Sequence, residues 1–94
     1  MAKYKVEWGL VRPWIIKEYS RLDELARFIL ADALEFVEEK VSRKPMSFGE
    51  PHYRYKSADL IYCVGFHSML RIEYGVHKSS HTVFISKLSR RQSK

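Results

Sequence analysis

Residues 69–77 read MLRIEYGVH, and the alternation within them decides the fold. Leu70, Ile72, Tyr74 and Val76 fall on one face and Arg71, Glu73 and Gly75 on the other, the period-two pattern of a strand with one buried side. Arg71 is therefore expected to point away from the apolar core. Before this strand lies HYRYK leading into LIYCVGF, and after it lies TVFISKL, with short stretches of Ser, His, Lys and Asp between the runs. That spacing makes the runs neighbours in an antiparallel sheet.

Upstream the periodicity changes. KYKVEW at 3–8 puts Tyr4, Val6 and Trp8 on one side of a first strand, which Gly9 ends. Pro13 suits the first turn of a helix through about Tyr19, because its missing N–H would have no partner there anyway. Ser20 and Asp23 resemble a capping box ahead of RLDELARFILADALEFVEEKV. In that helix Leu22, Leu25, Ile29, Phe36 and Val37 recur at helical spacing, while Asp32, Glu35, Glu38 and Glu39 gather toward its C-terminal half. Pro45 and Gly49 mark a loop from about Ser42 to Pro51. The predicted class is α+β: an N-terminal strand and two helices packed on a C-terminal antiparallel sheet of three or four strands. The chain reads as a single domain over 1–94 with a short, flexible, basic tail, SRRQSK, at 89–94.

Composition narrows the function. Apolar residues make up 46% of the 94, including two Trp, six Tyr and five Phe, enough for a packed core. Cys63 is the one cysteine, so no intramolecular disulfide forms and a reducing, cytoplasmic setting is expected. No secretory h-region occurs and no run reaches the ~20 apolar residues of a membrane span. Residues 1–42 carry seven Lys/Arg against eight Asp/Glu, whereas residues 43–94 carry ten against three, so the net charge of +6 belongs to the β-rich half. Such a field draws polyanions, and RNA is the expected partner.

Several chemistries find no support. There is no Gly-rich phosphate loop and no nucleophile elbow. Cys63 lies within an apolar strand, the setting of a small core residue. Cys63 and His67, four apart on a strand, lie about 13 Å from one another, too far to share a zinc ion. His77 and His81 flank a turn but supply only two ligands, so neither metal nor cofactor is expected. What remains is Glu50, His52, Arg54, Lys56, His67, Arg71, Lys87, Arg90 and Arg91, a set suited to phosphodiester chemistry. Cleaving RNA without metal needs a base for the 2′-OH, a cation for the charged transition state and an acid for the leaving oxygen. Glu or His fills the proton roles and Arg the electrostatic one. Tyr53, Tyr55, Tyr62 and Tyr74 are candidates for stacking on unpaired bases, against the alternative that alternating strands bury half of their aromatics.

PMSFGEPHYRY, LIYCVGFHSMLRIEYGV and HTVFISKLSRR together resemble the RelE/ParE-like toxins of toxin–antitoxin systems, especially the RelE, YoeB and HigB branches. The family's signature of an arginine, an aliphatic residue, any residue and a tyrosine on the penultimate strand is matched by Arg71, Ile72, Glu73 and Tyr74. The resemblance implies a metal-independent endonuclease of mRNA, ribosome-bound or free, neutralised by an antitoxin protein. It implies that Arg71 contacts the scissile phosphate, that Glu50 is the general base, and that Arg54, Lys56, Arg90 and Arg91 bind RNA; Lys87, from the basic set above, is expected to bind RNA with them. Many members carry a tyrosine or histidine near the chain end. SKLSRRQSK has neither, so the resemblance requires either that His67 or His52 substitutes as the proton donor or that the activity is absent. Two non-catalytic alternatives use the same scaffold: an inhibitor of a host protein, ParE-like or from a virus or mobile element, and a basic RNA-binding protein.

Overall fold

The structure is a computed structural model and describes residues 3–91. In chain order the elements are β1 (Lys5–Glu7), a 3-10 turn (Gly9–Val11), α1 (Arg12–Arg21), α2 (Glu24–Arg43), α3 (Pro45–Phe48), β2 (Glu50–Tyr55), a second 3-10 turn (Lys56–Ala58), β3 (Leu60–His67), β4 (Leu70–His77) and β5 (Thr82–Arg90). The strands form one sheet in the order β1-β5-β4-β3-β2. Three tight connections join the hairpins, and each carries one non-glycine residue in the left-handed region: Asp59, Ser68 and His81.

The α+β architecture agrees with the alternation of MLRIEYGVH. The sheet is not wholly antiparallel, however, because β1 pairs in parallel with β5, Lys5 opposite Thr82 and Glu7 opposite Phe84. The expected loop from Ser42 to Pro51 is also largely structured. Arg43 closes α2, Pro45 opens α3 from a position that needs no N–H, and Glu50 and Pro51 begin β2. Ser89 and Arg90, expected in a flexible tail, belong to β5, and residues 92–94 of that expected tail lie outside the described residues.

Helix α2 lies across one face of the sheet, presenting Leu30, Ala33, Val37 and Val41 at steps of three and four. These meet Ile61, Cys63, Leu70, Ile72, Tyr74, Val76, Val83, Ile85 and Leu88 in one core. Leu25, Ile29 and Phe36 from the expected stripe are instead 70%, 44% and 40% exposed. The helix bears two apolar stripes, and the one with smaller side chains faces the sheet. The cap differs as well. Ser20 is still inside α1, where its hydroxyl donates to the Lys17 carbonyl, and Asp23 caps α2 by accepting from the Ala26 N–H at 2.8 Å. Arg27 then reaches back to the Tyr19 carbonyl at 2.6 Å, a second donor to an oxygen that also accepts the Leu22 N–H at the end of α1.

Candidate functional site

Directly opposed residues of neighbouring strands share a face, so the register sorts the site residues. On the helix-facing side stand His67, Leu70 and Arg90 in one row, and Pro51, Cys63, Tyr74 and Ile85 in another. On the other side the rows are Phe66, Arg71 and Ser89, then Glu50, Val64, Glu73 and Lys87, then Tyr53, Tyr62, Gly75 and Phe84. This second face is open. Tyr53, Tyr55, Phe66 and Phe84 remain 59%, 48%, 47% and 39% exposed on it.

The open face brings Glu50, Arg71 and Lys87 together, with Glu50 two strands over and one row along from Arg71, about 12 Å between Cα atoms by ideal sheet spacings. Its centre is a carboxylate the sequence reading did not single out. Glu73 accepts a hydrogen bond from the Tyr62 hydroxyl on one oxygen and from Arg71 Nη1 on the other. Partial burial would raise this carboxyl, but Tyr62, Arg71 and Lys87 together outweigh it, and its pKa lies below the ordinary value. Burial first, then the bond to Glu73 and its negative charge, pushes the Tyr62 phenol up to about 12. Among the described residues, the remaining N–H groups of Arg71 carry no hydrogen bond, which leaves a guanidinium edge free for an anion. The signal for Glu73 was its step of two from Arg71.

The other expected residues are dispersed. His67 stacks on Phe36 of α2 with ring centroids 3.9 Å apart, on the face opposite to Arg71. Arg90 also lies on the helix-facing side, where Nε and Nη2 donate to the nearly buried Glu18 at 3.1 and 2.9 Å. Arg54 pairs in register with Ile61, putting it on that side of an exposed edge strand, and Lys56 sits in the turn between β2 and β3. Arg91 returns to the open face, its guanidinium 4.8 Å from the Phe66 ring centroid. His52 occupies the bulge of β2 and meets Tyr62 edge-on at 6.4 Å between centroids. Of the two histidines weighed as proton donors, His52 is the one beside the open-face cluster.

Tyr74 is no stacking residue, being fully buried. Its hydroxyl accepts from the Gly49 N–H at 2.8 Å and donates to the Pro45 carbonyl, and burial holds the phenol well above its ordinary pKa. The bonds clamp α3 onto β4 and aim the chain into β2, so Tyr74 fixes where Glu50 enters the sheet. Gly49 permits the approach, since a Cβ there would lie 2.7 Å from the Val64 carbonyl oxygen and 2.8 Å from the Tyr74 hydroxyl. Cys63 is fully buried beneath the sheet and burial pushes its thiol up, away from a nucleophile's range. No helix among the described residues is long and apolar enough to cross a membrane.

Comparison with known proteins places the architecture. No family model matches the chain, and no curated protein matches it. A solved structure is similar along nearly the whole length: a chain of the toxin–antitoxin complex RelBE2 from Mycobacterium tuberculosis, with a TM-score of 0.72, 24% identity, and coverage of 99% of this chain and 97% of that one. At that identity the likeness is one of fold, and the fold is RelE-like, as the resemblance in residues 45–91 implies.

Proposed function

We propose that this protein is a toxin-like, metal-independent endoribonuclease that cleaves mRNA, on the ribosome or free, and is neutralised by an antitoxin protein. The observation that carries the reading is the open sheet face, where Glu50, Arg71 and Lys87 stand among exposed aromatic side chains. A single strand of RNA fits such a surface: cations take the phosphates and rings take the unpaired bases. Glu50 removes the 2′-OH proton, and the 2′ oxygen attacks the adjacent phosphorus. Arg71 and Lys87 stabilise the extra negative charge of the five-coordinate transition state. The bond to the 5′ oxygen then breaks, its electron pair leaving with that oxygen, which His52 protonates. The products are a 2′,3′-cyclic phosphate and a free 5′-OH.

The antitoxin reading draws on the similar structure, itself a toxin–antitoxin complex, and on the exposed apolar residues Ile16, Leu25, Phe28 and Met69 of the opposite side. Purified protein is tested on mRNA with and without ribosomes. Cleavage by the wild type, lost in Arg71→Ala and Glu50→Gln with folding retained, is expected; intact mRNA under both conditions refutes the proposal.

A second reading, a non-catalytic binding module, is favoured by the ion pair that Glu73 makes with Arg71, which spends part of the cation within the protein. A tight complex with a cellular protein that survives RNase and Arg71→Ala decides for it.

A further inference from the structure

Phe66 is a large aromatic residue on the open face of β3 and is 47% exposed, so core packing does not account for it. It stands directly opposite Arg71, and side chains in such a pair arise about 5 Å apart. The next row of that face begins at Glu50 and contains Glu73, whose bond fixes Arg71. Arg91, one residue past β5, lays its guanidinium over the Phe66 ring with its carbon 4.8 Å from the centroid. Its backbone N–H donates to the Met69 carbonyl across the sheet end at 2.5 Å, which anchors the base of that side chain. A ring and a planar cation are thus held together within one residue of the candidate phosphate ligand. Flat, sequence-tolerant surfaces of this kind receive unpaired nucleobases, and arginine adds a cation–π contribution.

We infer that Phe66 and Arg91 form a base-stacking subsite for single-stranded RNA, holding the nucleobase next to the phosphate on Arg71. The subsite deepens the proposed function, because a base fixed there sets which phosphate meets Arg71 and Glu50. Phe66 supplies the stacking surface, and Arg91 both extends that surface and neutralises a flanking phosphate. Tyr53 and Tyr55, paired edge-on with centroids 4.5 Å apart on β2, lie three strands from Arg91 and do not share this subsite.

The test uses a short RNA, 2′-O-methylated throughout so that it cannot be cut, with 2-aminopurine placed at successive positions. Binding of the wild type quenches the fluorescence at one position, and an abasic residue there weakens binding about tenfold. Phe66→Ala and Phe66→Leu both lose the quench and about tenfold in affinity, whereas Phe66→Tyr keeps them. Leucine preserves the apolar bulk, so folding is not the variable. Arg91→Lys keeps the salt dependence of binding but loses part of the quench. Equal quenching and affinity in wild type and Phe66→Leu overturns the subsite, and so does a wild type that fails to bind this RNA. Failure of the cleavage proposal is a separate result: uncleaved mRNA with the position-specific quench intact leaves the subsite standing.

Discussion

Removing one oxygen atom from Tyr74 should damage this protein more than its size suggests. In Tyr74→Phe the Gly49 N–H and the Pro45 carbonyl both lose their partner at a fully buried position. A buried polar group left without a hydrogen bond costs about 1–3 kcal/mol. The ring itself is conserved by the substitution, so no cavity larger than a hydroxyl opens. Relaxation of α3, a single turn, recovers part of the loss, and the net destabilisation is about 3 kcal/mol, a large share of the ~5–10 kcal/mol available to a domain of this length. Urea unfolding followed by circular dichroism measures it: with a slope near ~1.3 kcal/mol per M, the midpoint falls by about 2 M at unchanged slope. Hydrogen exchange localises it, since the Gly49 amide should exchange much faster while amides in the middle of β4 keep their rank order. A loss below about 0.5 kcal/mol, or a Gly49 amide as protected as before, would show that the clamp is not what holds α3 to the sheet.

Three further outcomes follow from the ion pairs and phenols. The Glu73 pKa is lowered in the folded protein, so its contacts add stability above the unfolded value and that stability drains away as pH falls through the folded one; urea midpoints between about pH 6 and 2 should therefore drop further for wild type than for Glu73→Gln. The Tyr62 phenol is raised to about 12, so its contribution is complete below the ordinary phenol value of 10.0 and is lost as pH rises toward 12; ultraviolet titration of phenolate should show late-ionising phenols, of which Tyr62→Phe removes one and leaves that of the buried Tyr74. Arg90→Ala deprives the nearly buried Glu18 of two hydrogen bonds, and thermal unfolding should register a loss of about 1 kcal/mol with little change in RNA affinity.

Much of this arrangement is legible in the strand alternation. Period two across MLRIEYGVH sends Arg71 and Glu73 one way and Tyr74 the other, and the same parity applied from Cys63 sends His67 toward the helices, a step the sequence reading did not take. The buried stripe of α2 was harder to read because hydropathy ranks Leu25, Ile29 and Phe36 above Ala33, while close approach to the sheet selects smaller side chains. Arg90 and Arg91 look alike in sequence, yet one residue of strand advance turns the first toward Glu18 and the second toward Phe66. The short helix α3 escaped notice because its stability comes from Tyr74, a partner distant in the chain, and not from its own composition. The parallel pairing of β1 with β5 left no local trace either.

That pairing joins elements near opposite ends of the chain. The Tyr4 N–H reaches the Ser42 carbonyl at 2.7 Å, and Lys5–Glu7 lie against Thr82–Phe84. During synthesis β1 therefore has no strand to join until β5 has emerged, and α2 meanwhile lacks Val83, Ile85 and Leu88 beneath its inner stripe. Contacts between such distant segments form late, because the intervening loop must first close. The vectorial order of translation thus acts as a timer. Of the described strands, β5, which flanks Arg71, is made last, and the complete face comes into being only after translation has passed residue 90.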